Sequence, residues 1–333
     1  MIFLQLFLML IVILVAAEIF TNALEHLGEK LKISEGVTGS IFAAIGTALP
    51  ETLVPLLALL SSHGDAKTNH DVGVGAILGA PLMLSTLTMF IMAISVIGHR
   101  GLGGHLKPEK TGLIRDLDFF IFSFIFAGIA LFIPHTSELA RGLIAFLMVF
   151  SYFIYILMTI RASKKLVSEG HSTEASNPMF MERIGLPNNY LIISIQLLIG
   201  LALLIFGAKG FISGIEETSS ILGISALILS MLIIPIATEL PEKVNSIFWI
   251  RKGKDTLAFG NITGAMVFQG TLLPAIGIIL TPWEPRKEVY LCIFITLLSS
   301  LWIRTLIHKS NIKVWHLGIN GIFYFIYLYF ALH

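Results

Sequence analysis

Apolar runs of about twenty residues follow one another along almost the whole chain, and the polar stretches between them are short. The hydrocarbon core of a bilayer holds no water for backbone N–H and C=O groups, so a segment of ~20 apolar residues crosses it as a helix that satisfies its own backbone. The runs fall near 2–24, 36–61, 72–98, 117–134, 138–160, 190–214, 222–250, 257–281, 288–307 and 314–332. Of the 333 residues, 56% are hydrophobic and 13% are charged, far from the balance of a soluble domain. The expected fold class is therefore an all-α integral membrane protein with about ten transmembrane helices. The first run has no Lys or Arg ahead of it and exceeds the 7–15 apolar residues of a secretory signal, so it reads as the first span.

Within two of these runs a carboxylate follows a proline. Gly46-Thr47-Ala48-Leu49-Pro50-Glu51 returns as Ala237-Thr238-Glu239-Leu240-Pro241-Glu242. An ionised side chain at such depth costs at least ~2.5–3.5 kcal/mol on insertion scales and marks a partner, a cavity or an ion path. The likeness extends outward. Aligning Glu51 with Glu242 also sets Leu31-Lys32-Ile33-Ser34 against Leu222-Gly223-Ile224-Ser225, and Gly75-Ala76-Ile77-Leu78-Gly79-Ala80 meets Gly260-Asn261-Ile262-Thr263-Gly264-Ala265 after a shorter connection. The chain thus reads as a duplicated five-span unit: residues 1–161, a linker at 162–189, and 190–333, with core segments near 36–98 and 222–281. Five is odd, so the second copy enters from the opposite side as an inverted repeat, which brings both proline-broken helices, the second and the seventh, to one midplane site. Sixteen basic residues, Lys30, Lys32, Arg100, Lys107, Lys110, Arg115, Arg161, Lys164, Lys165, Arg183, Arg251, Lys252, Lys254, Arg304, Lys309 and Lys313, would lie on the side opposite the N-terminus, against four, Lys67, Arg141, Arg286 and Lys287, on the other. By the positive-inside rule both termini are expected outside the cytoplasm, in the cell (inner) membrane, with the linker inside.

Proline removes a backbone donor and crowds the carbonyl four residues earlier, so Pro50 would free the carbonyl of Gly46 and Pro241 that of Ala237. Thr47 and Thr238 add hydroxyls one helical turn before Glu51 and Glu242. Such oxygens suit Ca²⁺, which takes 6–8 of them, or Na⁺. A single proline of this kind reads as a packing kink; two at equivalent positions, each followed by Glu, favour the ion site. Glu239 either enters that site as a third carboxylate, where a like charge would favour proton exchange, or faces an aqueous vestibule or pairs with Lys243 at i+4. Gln269 supplies either a carbonyl ligand or a helix-to-helix hydrogen bond. Glu18 and Lys209 occupy equivalent places in the two halves, either pairing across the pseudo-axis or, for Lys209, reaching an interface. Asn22 and Gln196 read as interhelical hydrogen bonders; His316 has no assigned role.

Several classes drop out. Cys292 is the sole cysteine, which rules out an intrachain disulfide and a thiolate metal cluster. No basic domain is present to bind nucleic acid, and no Gly-rich phosphate loop to bind ATP, so an ion gradient is the expected energy source and no resident cofactor is expected. An enzyme is not expected either: a hydrolase built on Glu51 and Glu242 would need a metal or nucleophile partner that the sequence does not place at that depth.

In the two LPE peptides and in Gly260-Asn261-Ile262-Thr263-Gly264 the chain resembles the sodium/calcium exchanger family, the cation/calcium antiporters, across the whole ten-helix plan. The resemblance implies a secondary antiporter that exports Ca²⁺ in exchange for Na⁺ or H⁺, with Glu51 and Glu242 as shared calcium ligands, Thr47 and Thr238 assisting, and the first and sixth helices sliding across a fixed core. Inorganic cations and membrane lipid are the implied partners. This chain departs from the family pattern at Ala48, Glu239, Ala80 and Ala265, where relatives carry serine, and at Leu84, where a polar residue is usual. Loss of those hydroxyls puts three-Na⁺ coupling in question and keeps a second expectation open: a passive or ion-sensing membrane protein without coupled exchange.

Overall fold

The computed structural model describes residues 2–30, 49–60, 65–167, 178–309 and 312–333. Among these residues the chain is almost wholly helical: α1 (Ile2–Lys30), α2 (Leu49–Leu60), α3 (Ala66–Met83), α4 (Met89–Arg100), α5 (Lys110–Ala130), α6 (Glu138–Val167), the short α7 (Phe180–Arg183), α8 (Tyr190–Leu222), α9 (Ala226–Thr238), α10 (Leu240–Arg251), α11 (Asp255–Leu280), α12 (Lys287–His308) and α13 (Val314–Leu332). A five-residue π-helical segment, Leu84–Thr88, joins α3 to α4 without a break. Seven of the described helical stretches are long and apolar enough to cross a membrane, and α2 and α9 are shorter apolar helices. The protein is an integral membrane protein, with Phe3, Phe7, Phe146, Leu198, Phe206 and Phe294 among the large apolar side chains turned outward.

Several boundaries differ from those expected. The sixth run was expected to end at 214, but α8 continues through Thr218 and Ser219 to Leu222 and stops only where Gly223 adopts a left-handed conformation, φ 65°. Glycine tolerates that conformation without a Cβ penalty, and it closes the helix when Gly223 N–H bonds to the Ser219 carbonyl at 3.0 Å. The expected run 222–250 is two helices, α9 and α10, parted by Glu239 alone. Pro241 stands in the first turn of α10, where a missing N–H costs nothing, so the interruption precedes the proline.

Two packing arrangements position the rest. Helix α8 lies along α1, and Gly200, Gly207 and Gly214, seven residues apart, present backbone to Phe20, Ile13 and Leu6 in turn. The reversed order of partners makes the pair antiparallel. Helix α3 meets α9 still more closely: a Cβ on Gly75 would lie 2.6 Å from the Leu227 carbonyl oxygen, and one on Gly79 2.8 Å from Met231 Cα. Small residues let membrane helices approach backbone to backbone, and here the glycines of the repeated segment do so.

Around α3, α4 and α11 the core is cross-linked by hydrogen bonds. Ser299 Oγ and Asn320 Nδ2 donate to the Ser85 carbonyl in the π segment at 2.7 and 2.8 Å. Arg141, assigned to the outer side from sequence, is buried and donates to the carbonyls of Ile278, Thr281 and Pro282, satisfying the C-terminal end of α11. Trp283 Nε1 donates to the Ala127 carbonyl at 2.9 Å, and Arg286 clasps Asp71 through both Nη atoms at 2.7 and 3.1 Å. On the opposite face a short antiparallel pair, His105–Leu106 with Ile312–Lys313, ties the α4–α5 and α12–α13 connections together. His316 belongs to that corner, its Nδ1 accepting from Lys313 N–H at 2.9 Å in the first turn of α13.

Candidate functional site

Glu51 lies in the first turn of α2 and is buried, 3% exposed. Its helix packs against α3, α8, α9 and α11. The last residue of α9, Thr238, and the interruption before α10, Glu239, are both buried, Glu239 fully so. Its Oε1 accepts from Gln269 Nε2 of α11 at 2.5 Å, a charge-assisted bond that fixes the carboxylate across two helices. The helix-to-helix reading of Gln269 is what its Nε2 does; its Oε1 is buried and accepts no hydrogen bond among the described residues, leaving a carbonyl dipole for another donor or a cation.

Thr238 Oγ1 donates back to the Ile234 carbonyl at 3.2 Å, which leaves its lone pairs as acceptors. One turn beyond Glu239, Lys243 is buried at 6% exposure, and its Nζ donates to the Pro235 carbonyl at 2.9 Å and lies against Met83 Sδ of α3.

Of the residues expected at the site, the structure brings Glu239 and Gln269 into contact, buries Glu51 and Thr238, and shows Thr238 and Glu239 at a helix interruption. Gly46 and Thr47 lie outside the described residues, and the side chains of Pro50, Ala237, Pro241 and Glu242 are not described. Among the described residues no three His, Cys, Asp or Glu side chains form a metal cage.

Other expected residues have different work. Thr263, in the glycine-rich stretch of α11, lies 2.8 Å from Asp116 of α5, which also accepts from Tyr155 at 3.2 Å, so it braces helices outside the LPE segments. Asn261 donates to Ser246 at 3.0 Å. Gln196 Nε2 donates to Asn22 Oδ1 at 3.0 Å, and the pair also holds the backbone of Phe180 and Met181, tying the end of the linker to α1 and α8. Glu18 and Lys209 are both exposed on those two helices, and no ion pair joins them. Lys243 is the residue that sequence reasoning undervalued. Its signal was present, since a lysine directly after an LPE peptide sits as deep in its run as the glutamate does.

The family model for sodium/calcium exchanger protein matches residues 1–161 and 192–333. Among curated proteins, the chain is 24% identical to inner membrane protein YrbG of Escherichia coli (strain K12), over 76% of this chain and 72% of that one. It is 25% identical to the putative antiporter CaxA of Alkalimonas amylolytica, over 82% and 79%. Among solved structures, the H⁺/Ca²⁺ exchanger CAX superposes with a TM-score of 0.75 at 18% identity, covering 99% of this chain and 82% of that chain. The sodium-calcium exchanger NCX_Mj superposes with a TM-score of 0.57 at 18% identity, covering 98% and 99%. At these identities the superpositions speak for the fold, and it is the family model, covering nearly all of the chain on either side of the linker, that settles kinship: the chain belongs to the sodium/calcium exchanger family.

Proposed function

We propose that this chain is a secondary active cation antiporter that exports Ca²⁺ in exchange for Na⁺ or H⁺ by alternating access. The observation that carries the reading is the fully buried Glu239 carboxylate, pinned by Gln269 at a helix interruption inside a membrane protein whose first LPE peptide buries Glu51. A carboxylate withdrawn from water at that depth is retained where a cation or proton meets it. Family membership and the exchange of Ca²⁺ by the two superposed proteins support the ion assignment.

In this reading Glu51 and Glu242 are the shared ligands, Thr47 and Thr238 add hydroxyls, the carbonyls of Gly46 and Ala237 add oxygens, and Glu239 and the free Oε1 of Gln269 complete the oxygen set. Ca²⁺, Na⁺ and H⁺ are cargo, and no cofactor is assigned. The units are 1–161 and 190–333 as five-helix inverted repeats about a cytoplasmic linker at 162–189; matching of the family model on either side of the same stretch supports that division. Both termini lie outside the cytoplasm, in the cell (inner) membrane, as the Lys and Arg distribution and the kinship to an Escherichia coli inner membrane protein suggest.

The test is neutralisation at constant size. Glu51→Gln and Glu242→Gln, each purified as a monodisperse protein and placed in proteoliposomes, are expected to abolish gradient-driven ⁴⁵Ca²⁺ uptake. Wild-type uptake in both variants would sink the assignment.

A further inference from the structure

Lys243 has no part in the exchange just described, yet the residue is buried at 6% exposure in α10, just after the interruption that ends the apolar helix α9. Burying such a charge is costly unless oxygen acceptors and negative charge surround it. Its Nζ reaches the Pro235 carbonyl at 2.9 Å, the carbonyl one turn before Glu239, and touches Met83 of α3. Like Na⁺, an ammonium calls for oxygen acceptors and nearby carboxylate charge, though at hydrogen-bond distance.

The charge pattern of the two peptides is uneven in the same place. After Glu51 the first peptide continues with Thr52, whereas after Glu242 the second continues with Lys243. The second peptide also has the extra acid, Glu239, where the first has Ala48. The added acid and the added base stand four residues apart, one turn of helix, so together they leave the site with the net charge of its two LPE glutamates.

We infer that the Lys243 ammonium is a resident cation of the ion site, tethered to α10, and that it lowers by one the number of monovalent cations the site takes up against Ca²⁺. This rests on the reading of the LPE segments as the ion site. Lys243 is then a specificity residue that sets coupling through charge balance. Removing the tethered charge leaves a carboxylate to be met by a mobile cation; removing Glu239 with it restores the balance.

The test is equilibrium ⁴⁵Ca²⁺ binding to the purified full-length chain at fixed pH, with Na⁺ replacing choline at constant ionic strength. Lys243→Gln is expected to tighten Ca²⁺ binding in the absence of Na⁺ by about tenfold or more and to steepen Na⁺ competition by about one in Hill slope. Wild-type affinity and slope in folded Lys243→Gln would overturn the inference. Should that variant fail to fold, the comparison of Glu239→Gln with the charge-balanced Glu239→Gln/Lys243→Gln decides: loss of the lysine is expected to recover the affinity and the Na⁺ slope lost with the acid, and identical behaviour of the two would overturn it. Glu51→Gln separates the two levels. Unchanged Ca²⁺ binding there, or none in the wild type, would contradict the site reading itself, whereas loss of binding in Glu51→Gln with no effect of Lys243 would contradict the tethered cation alone.

Discussion

Helices α1 and α8 differ from α3, α4 and α11 in how they are held. In the most apolar stretches of α1 and α8 only 22% and 33% of residues are buried, against 78% for α3–α4 and 67% for α11. The outer pair turns Phe3, Phe7, Leu198 and Phe206 away from the protein and meets itself along a glycine stripe. Its polar ties gather at the ends: Gln196 with Asn22 and the Ile19 carbonyl, and Tyr190 with the Lys30 carbonyl, toward one end, and Gln5 with the Gly210 carbonyl toward the other. The inner group is stitched by Ser299, Asn320, Arg141 and Trp283, whose bonds to backbone carbonyls fix each helix to its neighbours. Non-directional apolar contact permits translation, while a hydrogen bond in lipid-like surroundings must be broken before its helix can shift. The contrast is one of exposure and of how densely each group is tied to its neighbours.

Perturbing each region should therefore fail in different ways. The largest effect is expected inside the core site, where Glu51→Gln leaves the fold intact and reduces transport to background, read as ⁴⁵Ca²⁺ uptake. Next comes Gly79→Val, because a side chain there meets the Met231 backbone, which cannot yield; overpacking of this kind costs about 1–3 kcal/mol or more and should lower the melting temperature of the purified protein by several degrees. Gly207→Ala is the counterpart in the outer pair. Its Cβ would meet Ile13 Cγ1 at 2.9 Å and Val12 Cγ1 at 3.2 Å, with backbone no nearer than Ile13 N at 3.3 Å, so the melting temperature should fall less than for Gly79→Val while the transport rate falls several-fold. If Gly207→Ala instead unfolds the protein, the outer pair is as rigidly built as the core.

The smallest effect lies outside the membrane, at the start of α5. Burial nudges the Glu109 carboxyl upward, but N–H donors of Gly112 and Thr111 outweigh it and hold the group below the ordinary carboxylate value. A depressed value means that this cap stabilises the protein above the usual carboxylate range and loses that contribution as the pH falls through the lowered value. Glu109→Gln should shift thermal stability slightly at neutral pH and not at all under acid conditions.

How much of this the sequence disclosed depended on the kind of signal. Long apolar runs pointed to membrane-spanning helices because their length answers directly to bilayer thickness; seven of the described helical stretches are long and apolar enough to span, and α13 occupies the expected 314–332. The end of α8 was missed because Glu217, Thr218 and Ser219 look like a loop in composition, although Gly223 marks the true stop. The LPE peptides pointed to an interruption; its place, at Glu239, follows from the preference of Pro241 for a first turn. Nothing local marks the π segment at Leu84–Thr88, whose carbonyl is met by Ser299 and Asn320 from distant helices. Burial of Lys243 against Pro235 and Met83 likewise depends on tertiary neighbours that spacing cannot reveal.

Uptake of ⁴⁵Ca²⁺ by the wild-type chain in proteoliposomes, loaded with Na⁺, with an H⁺ gradient, or with neither, tests coupled exchange most directly. The account predicts saturable uptake that requires one of the opposing gradients and vanishes without it. Uptake that proceeds equally well with no opposing cation would contradict antiport and make the chain a passive path.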